Sequence, residues 1–241
     1  MLHNDLVGLG LFLAYFVAAG LLAVLVKSNL KIPTELFRKM LHIVITLSIL
    51  PLLKLFSTWY MAVLADLLLV VIMYPVLSLV ENTAFYQRFA PERSAGEFKK
   101  SLIIIQLSFA ILIAVFWGLL GIDYHYIAVV AVMAWGFGDA AAALVGKAFG
   151  RRQIIHRWIE GAKTVEGTLA MYIVAGMAIC LTLLIYAGQS WPVSIAVAAL
   201  VAPVCAIIEL LSSRGMDTLT VPLTTAFTIL SLLSLFSFLG G

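Results

Sequence analysis

Runs of apolar residues, separated by short stretches where charge, glycine and proline gather, recur from one end of the chain to the other. A run of about twenty such residues is long enough to cross a hydrocarbon core about 30 Å thick as a helix. The pattern predicts eight helices, near residues 5–26, 38–56, 59–80, 101–121, 124–147, 167–188, 191–212 and 219–239. The second is the least regular, because Pro51 and Lys54 interrupt it. The first does not read as a cleaved leader: no Lys or Arg precedes it, and Lys27 and Lys31 follow it.

Composition agrees with the pattern. Of 241 residues, 63% are hydrophobic and 11% charged, against roughly 45–50% and 25% in a soluble domain. A soluble globule is excluded, and the expected fold is an all-α, polytopic membrane helix bundle of about eight transmembrane helices, with residues 1–241 forming a single membrane domain. The net charge of +3 is spread over several loops, which does not suit nucleic-acid binding. Cys180 and Cys205 both lie in apolar runs and read as small core residues, with neither a disulfide framework nor a zinc site implied.

Charge then sets an orientation. Fourteen of the fifteen Lys and Arg residues fall in the loops after helices 1, 3, 5 and 7, and only Lys54 falls in an even-numbered loop. Positive charge is retained on the cytoplasmic side. The odd loops are therefore expected in the cytoplasm and both termini outside. Any site for a charged soluble substrate should open to the cytoplasm.

Several constellations could carry chemistry. Helix 5 runs out through Trp135-Gly-Phe-Gly138-Asp139-Ala-Ala-Ala-Ala-Leu-Val-Gly146-Lys-Ala-Phe-Gly150-Arg151-Arg152, which places Asp139 eight residues before Lys147. That is about 12 Å inside the helix end, where a carboxylate costs about 2.5–3.5 kcal/mol unless a polar cavity, cation or metal receives it. The alternative is a carboxylate paired to a basic neighbour among small packing residues. The glycines do not make a dinucleotide fingerprint, since no strand precedes them, nor a P-loop, since the spacing and the hydroxyl are missing.

Ahead of helix 6 stands Glu160-Gly-Ala-Lys163-Thr164-Val-Glu166-Gly167-Thr168. A lysine, a hydroxyl, a carboxylate and a glycine at a helix start suit a phosphate cradle, with Glu166 holding a divalent cation. Equally, Thr164 could be a plain helix cap and Lys163 an anchor. Glu209 and Asp217 lie near the same side, so four carboxylates, Asp139, Glu166, Glu209 and Asp217, are expected to converge among cations, an arrangement suited to magnesium-dependent phosphate chemistry.

In the N-terminal half, Arg38-Lys39-x-x-His42 opens helix 2. Its cations read first as membrane anchors, and His42 as either a polar packer or a functional group. The stretch from Pro91 through Gly96-Glu97-Phe-Lys99-Lys100-Ser101 reads as an interfacial loop contacting anionic lipid or phosphate. Asp66, within helix 3, has no assigned role.

Taken together, these segments resemble the CTP-dependent lipid-alcohol kinases: dolichol kinase, phytol kinase and the bacterial diacylglycerol/polyprenol kinases. The resemblance spans essentially the whole chain through Arg38-Lys39-x-x-His42, Gly96-Glu97-x-Lys99-Lys100-Ser101, Gly136-Phe-Gly138-Asp139, Gly146-x-x-x-Gly150-Arg151, Lys163-Thr164-x-Glu166-Gly167 and Asp217-x-Leu-Thr-Val-Pro222. Each motif alone is weakly specific; their order and spacing are strong. The resemblance implies transfer of the CTP γ-phosphate to the hydroxyl of a membrane lipid alcohol, of isoprenoid type or diacylglycerol, in a prokaryotic cytoplasmic membrane. It implies Mg²⁺ held by Asp139, Glu166 and Asp217, charge neutralisation by Lys163 and Arg151, and nucleotide contacts at Gly138, Gly146, Gly150, Thr164 and Gly167. Asp139 or Asp217 would accept the hydroxyl proton. Thr218 departs from the family pattern, which has Asn there. Phosphatidate cytidylyltransferase shares part of the pattern, but its C-terminal signature is missing here. A cation- or proton-coupled transporter is the third reading, disfavoured by the nearly bare outward loops.

Overall fold

The structure is a computed structural model that describes residues 2–83, 86, 96–159, 161–213 and 215–240. The segment 91–95 and Glu160, named above, lie outside the described residues, as do Arg88 and Arg214, two of the basic residues counted in the odd-numbered loops. Among the described residues eight helical segments are long and apolar enough to cross a membrane, spanning 3–29, 34–54, 59–80, 97–119, 122–149, 165–185, 191–211 and 217–238. Their number and order match the sequence pattern. Chain contacts divide this membrane protein into two compact units, Met1–Gly118 and Leu119–Gly241.

The first unit contains α1 (Leu2–Asn29), α2 (Thr34–Leu47), α3 (Ile49–Lys54), α4 (Trp59–Val80) and α5 (Glu97–Ile113), which ends in a π-helical segment, Ala114–Leu119. The irregularity expected in the second span has a local cause. Pro51 has no N–H to give the carbonyl four residues back, Leu47, and helix α2 ends at that residue. The Ser48 hydroxyl bonds the Ile45 carbonyl at 2.6 Å across the joint. At the start of α1 the Asp5 carboxylate accepts the Ser57 backbone N–H at 2.8 Å and its hydroxyl at 2.9 Å, fixing the turn that leads into α4. Helices α4 and α5 form the closest pair of this unit. A side chain at Gly118 would collide with the Trp59 ring, its Cβ 2.8 Å from the indole. Leu11, Val17, Leu21, Leu22 and Leu25 of α1 are exposed, as a lipid-facing helix requires.

The second unit holds a short 3₁₀ turn (Ile122–Tyr124), α6 (His125–Phe149), α7 (Val165–Ile185), α8 (Trp191–Leu211) and α9 (Asp217–Gly240). Helix α6 packs on α7 and α9, and α8 packs between α7 and α9. Small residues bring α6 and α7 together. A Cβ on Gly138 would lie 2.4 Å from Met171 Sδ, and one on Gly167 would lie 2.9 Å from the Ala142 carbonyl oxygen. Without a hydrophobic drive between helices in lipid, such close backbone approach is a main source of packing energy. Two polar rungs join α8 and its C-terminal cap Ser212 to α9: Cys205 Sγ to Thr225 Oγ1 at 3.0 Å and Ser212 Oγ to Thr220 Oγ1 at 2.7 Å. Cys205 is buried and Cys180 half-buried, both as free thiols.

Candidate functional site

Helix α6 ends, and α7 begins, at one end of the second unit, and the chain between them folds back on itself. Ile154 N–H donates to the Lys163 carbonyl at 2.9 Å, and Val165 N–H donates to the Arg152 carbonyl at 3.0 Å. Between these bonds Gln153 and Thr164 form an isolated antiparallel bridge, the one piece of extended pairing among the described residues. The fold-back carries Arg151 beside Glu166. A cleft of about 400 Å³ opens there, lined by Ala148, Phe149, Gly150, Arg151 and Glu166. Its volume falls within the range of small-molecule sites. The Arg151 guanidinium makes no ion pair among the described residues, while the Glu166 carboxylate lies 3.4 Å from the Arg152 backbone N–H that points to it.

The other members of this sequence segment are turned inward. Thr164 caps α7: its hydroxyl oxygen accepts the Gly167 N–H at 3.1 Å, and its carbonyl accepts the Thr168 N–H at 3.0 Å. Val165 N–H is bound to the Arg152 carbonyl, so the Val165 and Gly167 donors of the first turn of α7 are used within the protein. Gly146, Gly150 and Gly167 surround that cap. A Cβ on Gly146 would sit 3.1 Å from Thr164 Oγ1, and one on Gly150 would sit 2.2 Å from the Gly146 carbonyl oxygen. These glycines serve close helix packing. Of the glycines expected at a nucleotide, only Gly150 lines the cleft.

Lys163 is held at the C-terminus of α8. Its ammonium donates to Glu209 Oε1 at 2.9 Å, to the Ser212 carbonyl at 3.3 Å and, more closely, to the Glu209 carbonyl. The two side chains are largely covered, with 20% and 12% exposure. A cation placed on the unsatisfied carbonyls of a helix end is favourable by both hydrogen bonding and the helix dipole. Lys163 therefore ties the fold-back to α8, and Glu209 is its counter-ion.

The remaining carboxylates occupy other levels. Asp139, half-buried on α6, follows Gly138, which packs on Met171; that residue is five positions deeper in α7 than Glu166, about 7.5 Å of helix rise. Asp217 opens α9, and Thr218 behind it is buried. Asp139 and Asp217 each interact with other groups of the chain. The convergence of four carboxylates expected from the sequence does not occur here: among the described residues no three His, Cys, Asp or Glu side chains come close enough together to hold a metal ion. A centre built from Asp139, Glu166 and Asp217 together does not fit this arrangement of the described residues.

In the first unit, Arg38 pairs with Glu97 through a short hydrogen bond and lies 4.0 Å from Glu35. Lys99 pairs with Glu81 at 2.7 Å and lies over the Tyr74 ring, 5.5 Å from its centre. Lys39 and His42 are half-buried with interactions of their own, and Lys100 is exposed. Sequence reasoning missed Glu81, Ala148 and Phe149. Glu81 is the first acid after an apolar run, a signal for a counter-ion; Phe149 reads as nothing more than the end of a span.

Comparison with known proteins adds one line of descent. The chain is 34% identical over 133 residues to a phytol kinase of Synechocystis sp., a stretch covering 55% of this chain and 54% of that protein. The matched stretch is thus about half the length of that relative. No family model matches the chain. No solved structure matches it either. The relative supports the resemblance carried by the motifs, which is to the CTP-dependent lipid-alcohol kinase family.

Proposed function

We propose that this protein is a kinase that transfers the γ-phosphate of CTP to the hydroxyl of a membrane lipid alcohol, most simply an isoprenoid alcohol such as phytol. The observation that carries the proposal is the 34% identity to a phytol kinase, joined to an open cleft where Arg151 and Glu166 meet at the end of an apolar helix bundle. A soluble triphosphate and a lipid hydroxyl need a polar site at a membrane-helix end, and this cleft has that form.

Phosphoryl transfer asks little covalent chemistry of a protein; it asks for positioning and charge stabilisation. In the proposed reaction the lipid oxygen forms the new P–O bond as the bond to CDP breaks. Arg151 holds the transferring phosphate in the cleft, as a planar donor fork that suits phosphate oxygens. The hydroxyl proton passes to a carboxylate, with Asp139 and Asp217 the two candidates. Asp139 lies nine residues before Ala148 of the cleft lining on α6, about 13.5 Å of helix rise into the bundle. Mg²⁺ is part of the proposal as the ion that accompanies the triphosphate and offsets its charge. Such an ion usually takes one or two carboxylates plus phosphate oxygens and water, so it needs no three-carboxylate cage.

The test is to supply the purified protein in lipid nanodiscs with γ-labelled CTP, Mg²⁺ and, separately, phytol, a polyprenol and diacylglycerol. Label in the phosphorylated isoprenoid, lost when ATP replaces CTP, is the expected outcome. Label in no alcohol, with nucleotide intact, would remove the proposal.

A further inference from the structure

The fold-back between α6 and α7 projects two large apolar side chains, Ile155 and Trp158, that neither unit core nor cleft employs. At its tip Ile155 is 90% exposed and Trp158 63% exposed, and Phe149, at the base, is 69% exposed. The tip is a defined turn, with Ile159 N–H donating to the His156 carbonyl at 3.0 Å and Gly161 at a φ of 83°. Arg157 lies over the Trp158 ring, 4.8 Å from its centre, and the His156 ring meets the same indole edge-on at 5.4 Å. The tip therefore presents an aromatic and an aliphatic side chain beside the Arg157 guanidinium.

Position decides what such a surface meets. Both strands of the fold-back spring directly from membrane-spanning helices, at Phe149 and Val165. From Phe149 to Ile155 is six residues, at most about 20 Å of extended chain, so the tip stays near the headgroup layer. Indole rings with one polar edge partition to that layer, and arginine stems lie along apolar surface with their charge outward. Between 150 and 166 the chain has Arg151, Arg152, Arg157 and Lys163 against Glu160 and Glu166. With Lys163 spent on Glu209, Arg157 is the cation set on the exposed apolar tip, and Arg152 lies three residues before Ile155, at the base of the fold-back beside Val165 and Glu166.

We propose that this fold-back is an interfacial membrane anchor: Ile155 and Trp158 insert at headgroup depth of the surrounding bilayer, and Arg152 and Arg157 engage anionic lipid phosphates there. The inference rests on the membrane-spanning helices and not on the kinase reading. The anchor would steady the cleft wall at the level where a lipid substrate arrives.

The test uses the full-length protein with an environment-sensitive NBD fluorophore on Ile155→Cys, and in a second protein on Trp158→Cys, with the unsubstituted chain labelled in parallel to subtract Cys180 and Cys205. Nanodiscs of phosphatidylcholine with or without phosphatidylglycerol carry nitroxide lipids labelled either near the glycerol or deep in the chain. The expected result is blue-shifted emission at both positions, quenched at least twofold more by the shallow nitroxide than by the deep one. Adding Arg152→Gln and Arg157→Gln should lower that quenching at least twofold in discs with phosphatidylglycerol and leave it unchanged in pure phosphatidylcholine. Water-like emission without nitroxide quenching at both positions would overturn the proposal. So would quenching indifferent to phosphatidylglycerol and to the two arginines, or an environment that changes on adding CTP and not with lipid composition.

Discussion

The two compact units treat their motif cations differently. In the first, Arg38 is taken up by Glu97 and Lys99 by Glu81, so one cation of each motif is paired inside the unit. In the second, Lys163 is taken up in the same way by Glu209 and the end of α8, yet Arg151 faces an open cleft with Glu166 across from it. The contrast teaches that a lysine or arginine beside a glycine and a carboxylate is not by that token a phosphate ligand. In a membrane bundle, helix ends and unpaired acids compete for every cation, because an unsatisfied charge near hydrocarbon is expensive. Arg151, which makes no ion pair among the described residues and lines an open cleft, is the cation to test for substrate.

Substitutions can break or sharpen that contrast. The largest expected effect is at Asp139: Asp139→Asn should lower phosphate transfer to a lipid alcohol by about 10³-fold or more, as loss of a proton acceptor does, while the protein remains inserted and melts as before. Turnover with labelled CTP, beside a thermal melt in detergent, measures both. Next, Arg151→Ala should cost about 10²-fold in kcat/KM for CTP, the scale for removing one donor that stabilises developing charge, with stability unchanged. Gly150→Ala should then act through folding: its Cβ would meet the Gly146 carbonyl at 2.2 Å, and overpacking of this kind costs about 1–3 kcal/mol. Gly138→Ala should cost less, since the flexible Met171 thioether can move aside.

Lys163→Met belongs to the same scale. It removes hydrogen bonds from a charged donor, each worth about 1.5–3 kcal/mol, and in a double-mutant cycle with Glu209→Gln it should show coupling. If Lys163→Met instead leaves the melt unchanged and abolishes CTP use, the lysine serves substrate and the contrast drawn above is mistaken. The smallest effect on activity is expected at Arg38→Gln. Its pair with Glu97 is as covered as that of Lys163, at 16% and 22% exposure, so the loss falls on stability, about 1.5–3 kcal/mol for a hydrogen bond from a charged donor, with activity retained.

The spans were legible in the sequence because hydropathy and basic-loop asymmetry both follow from the bilayer. The prediction of 59–80 coincides with α4, and 191–212 with α8 but for one residue. The capping alternative for Thr164 is what the structure displays, a result of the Thr-x-x-Gly spacing that puts its hydroxyl on the Gly167 N–H. What could not be read was the destination of each glycine and cation. Gly146 and Gly167 are equally good phosphate neighbours and helix-packing positions until the register of α6 on α7 is known. Lys163 meets a helix end 46 residues away in the chain, a distance at which local pattern is silent. The joint metal set failed for a related reason: sequence places carboxylates on one side of the membrane, but their depth depends on how far each helix is shifted against its neighbour. Asp66 stays an anomaly in energetic terms. It is fully buried, and among the described residues neither of its carboxylate oxygens has a hydrogen-bond partner, so Asp66→Asn should leave stability equal or higher.

The central claim is that the terminal phosphate of CTP, and no other part of the nucleotide, reaches a lipid hydroxyl at the Arg151 cleft. It is tested most directly by giving the wild-type and Arg151→Ala proteins, in matched nanodiscs with phytol, CTP labelled at either the α- or the γ-phosphate. The account predicts that the wild-type protein places γ-label in the lipid, that α-label stays in CDP, and that the variant transfers about a hundredth as much. α-Label in the lipid, or equal transfer by the two proteins, would contradict it.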